Sequence, residues 1–175
     1  HTTLHLLYSR FWHKFLYDIK VVPTPEPYAK RSSHGTVLGS DGRKMSKSKG
    51  NVINPDDVVN KYGADTLRLY EMFMGPFDQV VAWSWESVEG VFRFLKRAWV
   101  LVNSVKDQNS SAVAKSMAAK LIKKIAGDLE ATKFNTVVSA LMEFINWWQD
   151  NPQQVGGDVA ADFVKVVAPL APFMA

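Results

Sequence analysis

Arg43-Lys44-Met45-Ser46-Lys47-Ser48-Lys49-Gly50-Asn51 places four cations within seven positions, mixes in two hydroxyls and closes on Gly-Asn. Ahead of it, Gly35-Thr36-Val37-Leu38-Gly39 reads as a short buried strand and Ser40-Asp41-Gly42 as a turn. Behind it, Asn54-Pro55-Asp56-Asp57 reads as a helix start, with Asn54 as N-cap, Pro55 in the first helical position and two acids in the first turn. A short, mobile, lysine-bearing loop is therefore expected between a core strand and a helix. A lysine ammonium is a compact charge on a flexible stem, suited to following phosphate oxygens. Ser46 and Ser48 add donors, and small neighbours let backbone N–H groups approach an anion. The competing reading is a solvated basic turn, which short basic runs commonly are.

The rest of the chain bounds the class of protein. Its 175 residues suit one large domain or two small ones, and a hydrophobic content of 47% excludes a disordered chain. The net charge of +4 is compatible with nucleic acid as a partner, although the excess is small and spread out. The absence of cysteine excludes a disulfide framework and a thiolate zinc site. No apolar run approaches the roughly 20 residues that span a bilayer. The first residues lack a basic-then-apolar signal, so a cytoplasmic protein with no membrane association is expected. The opening at His1 without a methionine and the apolar ending Phe173-Met174-Ala175 are the pattern expected of a piece of a longer polypeptide.

Helical periodicity dominates. Residues 1–18 carry Leu4, Leu7, Tyr8, Phe11, Phe15 and, on the flank, Trp12 at three- and four-residue steps. His1 and His5 share a face one turn apart, but no carboxylate or third ligand completes a metal set, so no protein-bound metal is expected. Pro23, Pro25 and Pro27 forbid a continuous helix over residues 21–31, and residues 28–34 are expected to form a short helix or turn. Beyond the loop, helices are expected over 56–62, ended by Gly63, and 64–74, ended by Gly75-Pro76; residues 77–83 read as a loop. Ser84 caps a helix to about residue 105 with the stripe Val88, Val91, Phe92, Leu95, Ala98, Trp99 and Val102. Arg93, Lys96 and Arg97 lie on another side, as a solvated face or as contacts to nucleic-acid phosphates. Residues 107–111 read as a polar linker. Amphipathic helices over 112–131, 135–149 and from 158 onward then argue for an antiparallel bundle. Trp147 and Trp148 are positioned either to stack on bases or, as is commoner at this spacing, to pack in the core and its rim.

The loop also carries a resemblance. Lys44-Met45-Ser46-Lys47-Ser48 resembles, letter for letter, the KMSKS signature of class I aminoacyl-tRNA synthetases. The flanks Gly50-Asn51-Val52, Pro55 and Tyr62-Gly63-Ala64-Asp65-Thr66-Leu67-Arg68 resemble the same family. The stretch from His1 to Asp18, the run Tyr70-Glu71-Met72-Phe73-Met74-Gly75-Pro76 and the stretch from Phe134 to Asn146 look like leucyl-tRNA synthetases, so the resemblance covers nearly the whole chain. It departs from many of them in one respect. Only Ser40-Asp41-Gly42 separates strand from signature, where those enzymes carry an inserted domain.

The resemblance implies a mostly α fold. Residues 1–83 would end a Rossmann-like catalytic domain that includes the KMSKS loop and a stem-contact region. Residues 84–175 would form an antiparallel helical tRNA-binding bundle of the anticodon-binding type. It implies ATP-dependent ligation of leucine to tRNA-Leu through leucyl-adenylate. Lys47 would be the main phosphate contact and Lys44 its assistant. Met45 and Ser46 would supply backbone contacts near the nucleotide, and Val37 and Leu38 would lie by the adenine. His1 and His5 would line the adenylate pocket, and Arg93, Lys96 and Arg97 could meet tRNA. Magnesium would accompany ATP as part of the substrate complex. The family's HIGH-type signature and its editing domain are outside these residues, so the piece alone is expected to be inactive and to work with the rest of the same polypeptide. The rivals are the valyl, isoleucyl and methionyl enzymes, which share the signature and a bundle, and a non-catalytic RNA-binding helical module.

Overall fold

The computed structural model describes residues 2–106 and 108–175. It contains seven α-helices and two short strands among these residues, so the mostly α expectation holds. Two compact units make up the chain, His1–Ser33 and His34–Ala175.

The first unit is one helix and its return. Helix α1 spans Thr2–Asp18. It closes with Lys20 N–H donating to the Tyr17 carbonyl at 2.9 Å and Val21 N–H to the Leu16 carbonyl at 2.8 Å, while Lys20 takes a left-handed φ of 63°. The proline-rich return then runs without helix, and residues 28–34 form none either, contrary to the expected short helix or turn. Glu26 pins the return to α1. Its carboxylate accepts from Arg10 Nε at 2.8 Å and Arg10 Nη2 at 2.6 Å, and Lys14 Nζ lies 2.9 Å away. His13 Nε2 meets the Thr24 carbonyl at 2.7 Å. The expected apolar stripe is present but open. Leu4, Leu7, Tyr8, Phe11, Trp12 and Phe15 are all exposed, because one helix and an extended strap cannot enclose a stripe that wide.

Those hydrogen bonds to Arg10, and then to Lys14, lower the Glu26 pKa from 4.5 to about 2. A lowered carboxyl pKa means that the tie is fully present above the ordinary glutamate range and is lost as pH falls through the folded value. Acidification should therefore leave the return on α1 down to about pH 4.5 and release it progressively toward about pH 2. Amide exchange over residues 24–28 reads this, and Glu26→Gln should abolish the pH dependence.

The second unit holds everything else. Strands β1 (Val37–Leu38) and β2 (Val81–Ala82) pair in parallel, Val37 opposite Val81 and Leu38 opposite Ala82. Two expectations change here. The segment expected to be a plain loop over 77–83 contains β2, and the strand expected to be buried over 35–39 shrinks to two residues with Val37 38% exposed. A two-stranded ribbon offers a strand no second layer to bury it.

Helices α2 (Pro55–Tyr62) and α3 (Ala64–Phe73) follow, with Asn54 Oδ1 accepting the Asp56 N–H at 3.2 Å as the expected cap. Helix α4 (Trp85–Asn103) starts at Ser84, whose hydroxyl accepts from Ser87 N–H. Its buried face is Val88, Val91, Phe94, Leu95 and Ala98, whereas Trp99, placed on the apolar stripe by periodicity, is 55% exposed. Helices α5 (Ala112–Glu130), α6 (Phe134–Asp150) and α7 (Gly157–Val167) complete the core.

Packing runs continuously from the strand region into these helices. Tyr70 of α3 is fully buried, stands edge-on to Trp83 at 4.7 Å, and accepts the Ser84 N–H at 2.7 Å. Asp65, also buried, accepts the N–H groups of Phe173 and Met174 at 3.4 and 2.6 Å, and Arg68 Nε donates to the Leu170 carbonyl. Of the polar stretch expected to be a linker, Asp107 lies outside the described residues, and Ser110 and Ser111 are likewise held in place. Ser110 is buried, its hydroxyl bonds Asp158 and accepts the Gly156 N–H at 2.7 Å, and Ser111 N–H donates to the Gln154 carbonyl. A serine hydroxyl that satisfies both a carboxylate and an amide more than forty residues away makes a long-range brace that composition alone does not distinguish from a loop.

Candidate functional site

The basic loop emerges from β1 through a tight turn. Gly39 N–H donates to the Arg43 carbonyl at 2.8 Å, Gly42 takes φ 70°, and Lys44 returns opposite Leu38 in an antiparallel bridge. Met45 and, past the loop, Ile53 pack against the core and anchor both ends. Between them the chain makes one 3-10 turn, Lys47–Lys49, stopped by Gly50 in the left-handed region at φ 65°. Ser46 and Ser48 hydroxyls lie 3.2 Å apart.

Arg43, Lys44, Lys47 and Lys49 are all exposed, and none takes part in an ion pair among the described residues. Four cations left without carboxylate partners raise the local potential, so an arriving polyanion meets charge that no internal contact has neutralised.

The arch is held by side chains that sequence reading passed over. Asn51 Oδ1 accepts the Ser46 N–H at 2.9 Å, while Asn51 Nδ2 reaches both Asp41 oxygens at 3.2 Å and the Lys44 carbonyl at 3.4 Å. Asp41 Oδ1 also accepts the Arg43 N–H at 3.0 Å. The Arg43 amide, and next the Asn51 amide, hold the Asp41 carboxyl below its ordinary range. Gly39 leaves room for this tie: a Cβ there would sit 2.8 Å from Asp41 Oδ1 and 3.1 Å from Asn51 Nδ2. The available signal was the pair of Asx residues flanking the basic run, since Asn and Asp bind nearby backbone groups in turns.

The other expected site residues are dispersed. Val37 lines a concavity of about 360 Å³ with His34, Glu71, Met74 and Phe77, but no lysine of the loop borders it. Removal from water raises the Glu71 carboxyl pKa there, and Arg68 opposes that shift. Leu38 is half-buried beneath the loop. His5 belongs to the first unit, where its Nε2 lies 3.3 Å from the Tyr28 hydroxyl. His1 lies outside the described residues. On α4, Arg97 Nη1 bonds Asn146 at 2.9 Å and Gln149 at 3.3 Å, Lys96 sits 4.5 Å over the Phe92 ring, and Arg93 is exposed. Trp148 is 1% exposed, so it packs and cannot stack on a base; Trp147 is half-buried. No group of three or more His, Cys, Asp or Glu side chains converges among the described residues. No helix among them is long and apolar enough to cross a membrane.

The family model for tRNA synthetases class I (I, L, M and V) matches residues 8–84, which include both strands and the basic loop. Over those residues the chain is similar to class I tRNA synthetases. Along nearly its whole length it is similar to one segment of leucine–tRNA ligases. It is 53% identical to the one from Alkaliphilus oremlandii over 98% of its own length, and 49% identical to the one from Leptospira biflexa over its whole length. It spans about a fifth, 21%, of each of those proteins. Among solved structures it resembles the Agrobacterium radiobacter LeuRS in ternary complex with tRNA and LeuAMS. The TM-score is 0.81 at 28% identity, covering 99% of this chain and 25% of that one. A Mycobacterium tuberculosis methionyl-tRNA synthetase bound to methionyl-adenylate shares the fold, with a TM-score of 0.60 at 17% identity over 93% of this chain and 39% of that one.

Proposed function

We propose that the chain is the part of a leucine–tRNA ligase that carries its KMSKS loop, and that the loop promotes formation of leucyl-adenylate from leucine and ATP before transfer to tRNA-Leu. The observation that carries this is identity of about half to leucine–tRNA ligases across nearly every residue of the chain. On this reading residues 1–83 end the Rossmann-like catalytic domain and residues 84–175 form the tRNA-binding bundle. The family match stops at Ser84, where α4 is capped, which supports the division.

The leucine carboxylate attacks the α-phosphate, and negative charge collects on the departing pyrophosphate. Lys47, exposed and unpaired among the described residues, meets that charge, and Lys44 across the arch assists it. Positive groups fixed where charge develops lower the barrier. Magnesium travels with the nucleotide, held mostly by phosphate oxygens and water. Val37 and Leu38 border the adenine, and Met45 and Ser46 approach the nucleotide. Ser46 N–H is already given to Asn51, so contact at Ser46 comes through its hydroxyl or displaces that bond. On α4, Arg93 has no internal partner among the described residues and is the freest of the three cations to reach tRNA, whereas Arg97 is tied to α6. The open stripe on α1 is covered by the rest of the same polypeptide, whose upstream nucleotide-binding and editing domains supply what this segment lacks.

Leucine-dependent exchange of pyrophosphate into ATP by the intact polypeptide tests the reading. Exchange driven by leucine and not by valine, isoleucine or methionine is expected. Exchange driven by one of the others would overturn the leucine assignment, and none with any of them would overturn the enzyme.

A further inference from the structure

The cations of the loop are borne on a backbone arch that has no regular secondary structure between Lys44 and Ser46, and one side chain spans it. Asn51 is the only described residue whose side chain reaches both sides of that arch and the turn behind it: the Lys44 carbonyl, the Ser46 N–H and the Asp41 carboxylate. Asp41 in turn fixes the turn by accepting the Arg43 N–H. Gly39 is the floor beneath the tie, without a side chain that would collide with either partner. Cutting the tie would leave the arch held by the Leu38–Lys44 bridge, the Gly39–Arg43 hydrogen bond and the packing of Met45 and Ile53, with Ser46 and the turn that carries Lys47 less constrained.

We infer that Asn51, braced by Asp41, is a positioning residue for the loop: it sets where Lys44 and Lys47 stand without itself touching the nucleotide. This rests on the proposed phosphate role of the lysines. Positioning of this kind acts on reactions that need fixed charge, since a small displacement from the productive geometry weakens stabilisation of the transition state. The donor and acceptor pattern makes the inference specific. At position 51 the carboxamide must accept from Ser46 and donate to Asp41. An aspartate there still accepts from Ser46 but faces Asp41 with like charge and no donor. Exchanging the two groups restores a donor opposite an acceptor, with the carboxamide at position 41 now donating to a carboxylate at position 51.

The test is pyrophosphate exchange by the intact polypeptide with Asn51→Asp, Asp41→Asn and the exchanged pair together. Asn51→Asp should raise the KM for ATP and lower kcat by about tenfold in total, the scale of one lost charge-assisted hydrogen bond, with the KM for leucine unchanged. Asp41→Asn keeps Oδ1 as acceptor for the Arg43 N–H and the Asn51 amide but loses the second oxygen, so it should lose activity by about two- to threefold. The exchanged pair, in which the carboxamide at position 41 donates to the carboxylate at position 51, should recover part of the Asn51→Asp loss. A pair as impaired as Asn51→Asp, or Asn51→Asp with unaltered ATP kinetics, overturns the positioning role. Lys47→Ala in the same assay judges the phosphate reading separately. If Lys47→Ala has no effect, the lysine role fails, while recovery in the exchanged pair still decides the tie.

Discussion

On the proposed reading, Lys47→Ala in the intact polypeptide should lower leucine-dependent pyrophosphate exchange by about 10²–10³, the typical loss when one group that stabilises developing charge is removed. The size follows from where the residue stands. Lys47 opens the 3-10 turn at the tip of the arch, is exposed, and has no ion-pair partner among the described residues, so the variant loses no internal contact of that kind. Surface substitutions of this sort change stability by within about 0.5 kcal/mol. The thermal midpoint should therefore stay near that of the parent while exchange collapses, and tRNA affinity should hardly move. On the same reading Lys44→Ala should cost less, since its ammonium is proposed to assist rather than lead. Exchange unchanged in Lys47→Ala would remove that lysine from the mechanism.

The ends of the loop were legible because they obey local rules. Asn54-Pro55 caps α2, Gly63 ends it, and Ser84 caps α4 as their chemistry requires. The helices were legible because their stripes are long and periodic. What stayed hidden depends on partners distant in sequence. β2 could not be seen in residues 77–83, since two residues acquire strand character only by lying beside Val37 and Leu38. Ser110 reads as linker polarity until Asp158, far along the chain, is seen to bind it. Asp65 reads as a dipole-favouring acid in the first turn of α3; its second role, holding the N–H groups of Phe173 and Met174, needs the C-terminal segment in place. In the loop, composition gave the cations, but the Asp41–Asn51 tie that shapes them is a matter of which amide faces which carboxylate.

Trp148→Ala should destabilise the chain by about 3–5 kcal/mol, the usual cost of truncating a buried tryptophan. The side chain is the largest among the fully buried ones. It meets Phe144 of its own helix at 6.1 Å and Phe163 of α7 at 5.9 Å, both edge-on, while Phe144 and Phe163 stack on each other at 5.7 Å. Removing one ring from this triangle leaves a cavity lined by two aromatic faces whose positions are set by α6 and α7, so collapse around the void is limited and most of its cost is retained. Trp147→Ala one position along provides the control. It is only half-buried at the rim, and its loss should cost about 1 kcal/mol. Urea unfolding followed by circular dichroism measures both. Domains of this kind are stable by about 5–15 kcal/mol in all, so the first variant should lose a large share of its unfolding midpoint and the second a small one. Equal losses in the two would mean that the aromatic triangle is not what holds α7 against α6.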